Sequence, residues 1–227
     1  NYKNGLRKVV LVGALEEVQV TEIAKKSKKW CIPEKPLFEN NFNNNKGVFQ
    51  LEKKDAVQSA VRIGKTLFNK NHSDFLGFSI LNTILGDYFG SRLMKNIRED
   101  KGYTYGISST EAELAKSGYF MIGTEVGSAQ KDLAIQEIKN EIERLQNDLV
   151  PDEELELVRN YLLGQLLKSA DGPYAMTDLF LSVDAYELDF SFYESYIQKV
   201  KNIDAEELRA LAVKYLAWDS MTIVIAG

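Results

Sequence analysis

Apolar residues recur along this chain with two periods, and the alternation between them divides it into strands and helices. Val9-Val10-Leu11-Val12-Gly13 is an unbroken apolar run that predicts a short buried strand. Glu17 to Trp30 follows with Val20, Ile23, Ala24, Ser27 and Trp30 at helical spacing, and Pro33 and Pro36 stop that helix. The stretch 33–47, with Asn40, Asn41, Asn43, Asn44 and Asn45, predicts an exposed loop. Val48 to Leu51 and Val57 to Gly64 then read as two strands joined by a polar turn around Lys53, Lys54 and Asp55.

Ser73 is placed as a helix cap, and Leu76, Ile80, Ile84 and Tyr88 repeat every four residues behind it, so one face of this helix belongs to the core. Gly86 and Gly90 interrupt the pattern, and a second short helix runs from Ser91 to about Glu99. Gly102 stands where a left-handed residue ends a helix. Tyr103, Tyr105, Ile107 and Ser109 alternate with Thr104, Gly106 and Ser108 as a strand requires, and Tyr119 to Val126 returns as its hairpin partner after a turn at Lys116 to Gly118.

Beyond Val126 the period is helical. Ile135, Ile138, Ile142, Leu145 and Leu149 mark one helix, and Leu155, Val158, Leu162 and Leu166 mark the next, which Pro151 begins with Asp152, Glu153 and Glu154 in its first turn. Two more helices cover Tyr174 to Tyr186 and Phe192 to Lys201, and Asp204 with Glu207 forms a capping box for another. Met221 to Ala226 returns as a strand. Strands, a hairpin, a helical block and a further strand predict an α+β fold, with a mostly antiparallel sheet covered by helices.

Composition narrows the picture. A hydrophobic fraction of 44% with 27% charged residues over 227 residues is ordinary for a globular protein and suits one domain over 1–227. The net charge of −5, with Lys interleaved among Glu and Asp, argues against a nucleic-acid partner, which needs clustered cations. No apolar run approaches the eighteen or so residues of a membrane span, and no signal-peptide pattern opens the sequence. The single Cys31 forms no internal bridge, which suits a soluble cytoplasmic or periplasmic protein equally.

Candidate chemistry is sparse. His72 is the only histidine, and its place at a helix start suits a cap or surface residue better than a catalytic one. The acidic pairs and triplets at Glu16-Glu17, Glu99-Asp100, Asp152-Glu153-Glu154 and Glu206-Glu207 lie at helix ends or faces and lack histidine partners for zinc. The informative stretch is Ser91 to Tyr105. There a helix, a glycine and a strand can bring Arg98 beside Tyr105, and a guanidinium beside a phenol makes a donor pair for a peptide carbonyl or oxyanion. The competing reading has Arg98 complementing the helix C-terminus while Tyr105 fills the core.

The run from Gly86 to Ser109, with Ser-Arg-Leu, Ile-Arg-Glu, Lys-Gly and Tyr-x-Tyr, resembles the second half of zinc metallopeptidases of the insulinase, pitrilysin and mitochondrial-processing-peptidase family. An opening apolar strand ending in Gly13, Gln58 before Val61-Arg62-Ile63-Gly64, Pro151-x-Glu153-Glu154-Leu155 and the closing Ile223-Val224-Ile225-Ala226-Gly227 fall in the family's order. The resemblance implies a chamber enclosed by two similar halves, one carrying zinc on a His-x-x-Glu-His helix. The other half supplies an arginine and a tyrosine seven residues apart to hold the peptide substrate, and Arg98 and Tyr105 match that spacing. No His-x-x-Glu-His occurs here, so the chain matches the half without metal and should be inactive alone, with zinc held by a partner half.

That half is expected either fused upstream or as a separate subunit. The linker-like Asn1-Tyr2-Lys3-Asn4-Gly5, without an initiator Met, favours fusion. The face meeting it should carry apolar or aromatic surface. The alternative is a structural module like the processing-peptidase-like core subunits of respiratory complexes, without peptidase activity.

Overall fold

The computed structural model describes residues 8–30 and 45–227. Most of the loop expected over 33–47 therefore lies outside the described residues. A five-stranded sheet organises the rest: β1 (Gly47–Leu51), β2 (Gln58–Leu67), β3 (Thr104–Leu114), β4 (Ser117–Gly127) and β5 (Thr222–Ala226), in the order β1-β5-β2-β4-β3. Every pairing is antiparallel except β1 with β5. The fold is α+β with a mostly antiparallel sheet, as the patterning predicts.

β1 and β2 do not pair with each other. A turn closes at Ala56 N to Lys53 O, 3.2 Å, with Asp55 in the left-handed region, but β5 enters between the two strands. The reason is the composition of β5. Ile223 and Ile225 are buried under the helices when β5 lies inside the sheet, and that burial outweighs the local turn.

The sheet buries one face. Val61, Ile63, Ile107, Phe120, Ile122 and Val126 point to that side and are buried, while Arg62, Met121, Gly123 and Glu125 alternate to the other, which no helix among the described residues covers. Helices α2 (Phe75–Leu85), α3 (Lys131–Asn147), α4 (Asp152–Ser169), α5 (Pro173–Asp184), α6 (Ser191–Asn202) and α7 (Ala205–Tyr215) build the layer over the buried face. α2 lies at its centre and is buried nearly all round, through Phe78, Ile80, Leu81, Ile84 and Leu85, because α4, α6 and α7 cover the side that β3 does not. Each of these side chains stabilises the fold by roughly 1.5–3 kcal/mol.

α2 ends against the edge strand. Gly86 O accepts from Ser109 N at 3.1 Å, and a Cβ on Gly86 would sit 2.6 Å from that same nitrogen. Only glycine allows this approach, which also caps part of the open edge of β3.

Two predicted features differ. Asp74, not Ser73, occupies the N-cap position of α2, because the ring of His72 takes over the capping: its Nδ1 accepts from Asp74 N at 3.1 Å. The Val9-Val10-Leu11-Val12 run is not a strand and is largely exposed, with no strand paired to it among the described residues. The helix behind it, α1 (Glu17–Ser27), buries none of its residues. At the other end of the chain Asp204 caps α7 as expected, its Oδ1 accepting from Glu207 N at 2.8 Å.

Candidate functional site

The predicted helix after Gly90 is wound wide. It opens as an α-turn, with Lys95 N donating to Ser91 O at 2.9 Å, then becomes a π-helix over Met94–Asp100, with Lys101 N donating to Asn96 O five residues back at 2.9 Å. Tyr103 N donating to Ile97 O at 3.0 Å, across Gly102 at φ 64°, ends it in a glycine cap. π-turns are rare and concentrate at functional sites, since they are held only when surrounding contacts compensate their poorer geometry.

Those contacts are identifiable. Leu93, Met94 and Ile97 are buried in the core. The Asn96 amide donates to Glu137 Oε2 at 3.1 Å and to Glu141 Oε1 at 2.5 Å on α3, and Arg144 Nη1 reaches the same Glu141 oxygen at 2.6 Å. Arg92 holds α4 through a two-pronged bond to Glu154, at 2.9 and 2.7 Å.

Arg98 leaves this anchored segment on another side. Its guanidinium lies over the Phe89 ring, 4.7 Å from the centroid, with no carboxylate partner among the described residues. Tyr105 does not fill the core: it is 93% exposed. The cause is a β-bulge between Thr104 and Ile107, where β3 spends one more residue than β4. Thr104 and Ile107 both turn to the buried face, so Tyr105, opposite Glu125, projects from the uncovered one. Hydroxyls lock the bulge. Thr124 Oγ1 lies 3.0 Å from both Thr104 Oγ1 and Gly106 O, and Gly106 N donates to Thr104 Oγ1 at 3.1 Å. The isolated Gly106 in a strand pattern was the available signal for it.

Arg98 and Tyr105 thus lie on consecutive elements with their polar heads directed away from the core. No hydrogen bond joins them to each other or to other described residues, and the aromatic partner of Arg98 is Phe89. Such groups can donate to an incoming carbonyl without first breaking an internal bond.

Two features have no simple periodic signature. One is an open polar cleft of about 890 Å³ between the π-helix, α3 and α4, lined by Arg92, Lys95, Lys101, Glu137 and Arg144 among others; neither Arg98 nor Tyr105 borders it. The other is Glu111 on the helix side of β3. Burial pushes its carboxyl up to about 7, opposed by a bond from Ser79 and reinforced by Glu113 and Asp87.

Zinc does not fit these residues. Among the described residues no three of His, Cys, Asp and Glu stand together to hold a metal ion, and His72 is stacked on Phe68 at 4.1 Å with Nδ1 engaged by the backbone. Cys31 lies outside the described residues. Among the described residues no helix is long and apolar enough to cross a membrane.

The described residues thus form an α+β unit, a mostly antiparallel sheet backed by helices on one face, with no group of metal-holding side chains among them. Residues 1–162 match the family model for the peptidase M16 inactive domain, and the chain belongs to that family. It is 28% identical over 119 residues to a Bacillus subtilis protein described as an uncharacterized zinc protease, covering 52% of this chain and 29% of that protein. Among solved structures, a peptidase M16 inactive domain from Pseudomonas fluorescens superposes with a TM-score of 0.80 at 22% identity, covering 94% of this chain and 52% of that one. A protease from Helicobacter pylori gives 0.79 at 18% identity, covering 95% and 54%. The chain therefore spans about half of these solved relatives and less of the curated one.

Proposed function

We propose that this chain is the substrate-contacting, non-catalytic half of a zinc metalloendopeptidase and closes a peptide chamber against a half that carries zinc on a His-x-x-Glu-His helix. The observation that carries this reading is Tyr105, a phenol 93% exposed on a hydroxyl-locked bulge, on the sheet face that no helix covers. Together with Arg98 it offers unengaged donors at the end of a π-helix fastened to α3 and α4. In the chamber these donors hold the substrate carbonyl and the oxyanion that develops on it, while the metal in the opposite half activates water. A purely structural module has no need for an exposed phenol on a locked bulge.

The test is reconstitution. This chain alone is expected to hold no stoichiometric zinc and to leave an unfolded peptide intact, and hydrolysis should require it together with the zinc-bearing half. One zinc per isolated chain, or a catalytic half equally active without this one, would overturn the reading.

A further inference from the structure

Ion pairing sets Arg98 apart from the other arginines. Among the described residues Arg62, Arg92, Arg144, Arg159 and Arg209 each close on a glutamate, and Arg98 does not. Carboxylates stand near it in sequence, at Glu99 and Asp100, but residues one and two apart on a helix do not face each other. What Arg98 meets instead is the ring of Phe89, whose centroid lies 4.7 Å from the guanidinium carbon.

The turn between α2 and the π-helix holds that ring outside. Tyr88 packs inward, its ring 4.9 Å from that of Tyr161 on α4, and Ser91 N donates to Tyr88 O at 3.1 Å. Ser91 is buried, and a Cβ on Gly90 would come within 2.8 Å of the Tyr88 ring, so glycine lets the turn close. Phe89 sits between these fixed neighbours with its side chain 66% exposed and takes no part in the hydrophobic core.

We infer that Phe89 is the positioning residue for Arg98, and that its ring seats the guanidinium without using any of the N–H donors. A carboxylate would hold the group more tightly, but it would take up donors in doing so, as Glu154 does with Arg92 at 2.9 and 2.7 Å. A ring face attracts the cation through its quadrupole and offers no acceptor oxygen. The five N–H groups of Arg98 stay free for a carbonyl arriving from outside. The inference rests on the proposed substrate role of Arg98 and adds the residue that keeps it ready.

Magnetic resonance of this chain alone tests the seat. The Arg98 side-chain protons should carry an upfield ring-current shift that disappears in Phe89→Leu and persists in Phe89→Tyr, with the thermal midpoint unchanged in both. In the assembled enzyme Phe89→Leu should lower catalytic efficiency by about 3- to 10-fold, while Phe89→Tyr keeps it. Phe89→Glu, which supplies a carboxylate to occupy the donors, should lose more than Phe89→Leu. On an Arg98→Ala background Phe89→Leu should cost nothing further. The inference is overturned by an absent shift, by full efficiency in Phe89→Leu, by Phe89→Tyr or Phe89→Glu matching Phe89→Leu, or by a further loss on the Arg98→Ala background. The substrate role of Arg98 survives each of these outcomes as long as Arg98→Ala itself loses activity; normal turnover by Arg98→Ala removes both.

Discussion

The hydroxyls of Thr104 and Thr124 meet at 3.0 Å across the β3–β4 ladder, at the bulge that turns Tyr105 to the other face of the sheet. The extra residue of a bulge leaves backbone groups out of the regular ladder, and Thr124 satisfies one of them at Gly106 O, 3.0 Å away. Thr124→Val keeps the shape and removes the donor. It is expected to destabilise the chain by about 1–2 kcal/mol. Denaturant midpoints of the two proteins check this, and a midpoint unchanged by the substitution would show that the bulge holds without its hydroxyls.

Arg98→Ala and Tyr105→Phe separate a substrate-binding role from a structural one. In the assembled enzyme each should lower catalytic efficiency, by about 100- to 1000-fold where the lost donor meets the oxyanion. Because Tyr105 is so exposed, Tyr105→Phe should shift stability by less than about 0.5 kcal/mol. Turnover, thermal midpoint and zinc content on the same preparation give the answer; normal turnover by either variant would take that residue out of the site.

Glu111 makes stability depend on pH. Its carboxyl is raised by burial from an ordinary 4.5 to about 7, with Asp87 and Glu113 reinforcing and Ser79 and Lys70 opposing. Between those two values the folded state keeps a proton that the unfolded chain has lost. This group's stabilisation is therefore complete below about pH 4.5, lost as pH rises through about 7, and absent above. Glu111→Gln should flatten that decline and stabilise the chain at pH 8 by about 1–2 kcal/mol. Unfolding curves at pH 5, 6, 7 and 8 for both proteins would reveal it, and parallel pH profiles would contradict it.

Asn96 fastens the π-helix to α3, and Glu141 is buried at the other end of that bond. Asn96→Ala leaves the Glu141 carboxylate with Arg144 alone and should cost about 1–3 kcal/mol. Since Arg98 follows in the same segment, its seat over Phe89 should loosen as well, visible as a change in Phe89 ring resonances. An unaltered spectrum with unaltered stability would mean the core residues Leu93 and Ile97 suffice.

Most of the fold was legible because its elements carry their own period. The helix positions Ile138, Ile142, Val158 and Leu162, the hairpin of β3 and β4, the Asp204 cap and the left-handed Gly102 all follow from neighbours in sequence. What was not legible depends on partners far along the chain. The apolar turn-flanking strands β1 and β2 looked like a hairpin because nothing local announces that residues 222–226 will part them. Tyr105 shared its parity with Ile107 and Ser109, and only the bulge reverses it. Arg98 was singled out as a candidate by its place before Gly102 and Tyr105, whereas its seat on Phe89 and the π-winding beneath it have no local signal and go with Asn96 meeting two carboxylates of α3.

The place of β5 between β1 and β2 also sets a timetable. A ribosome that has finished β1 must translate through all the helices of the covering layer before it reaches Thr222, which takes on the order of ten to thirty seconds. Until then β1 has no neighbour and the edge of β2 that β5 will pair with lies open. The nascent protein thus carries an unclosed seam through most of its synthesis, and a chaperone that shields apolar strands would have its clearest opportunity there.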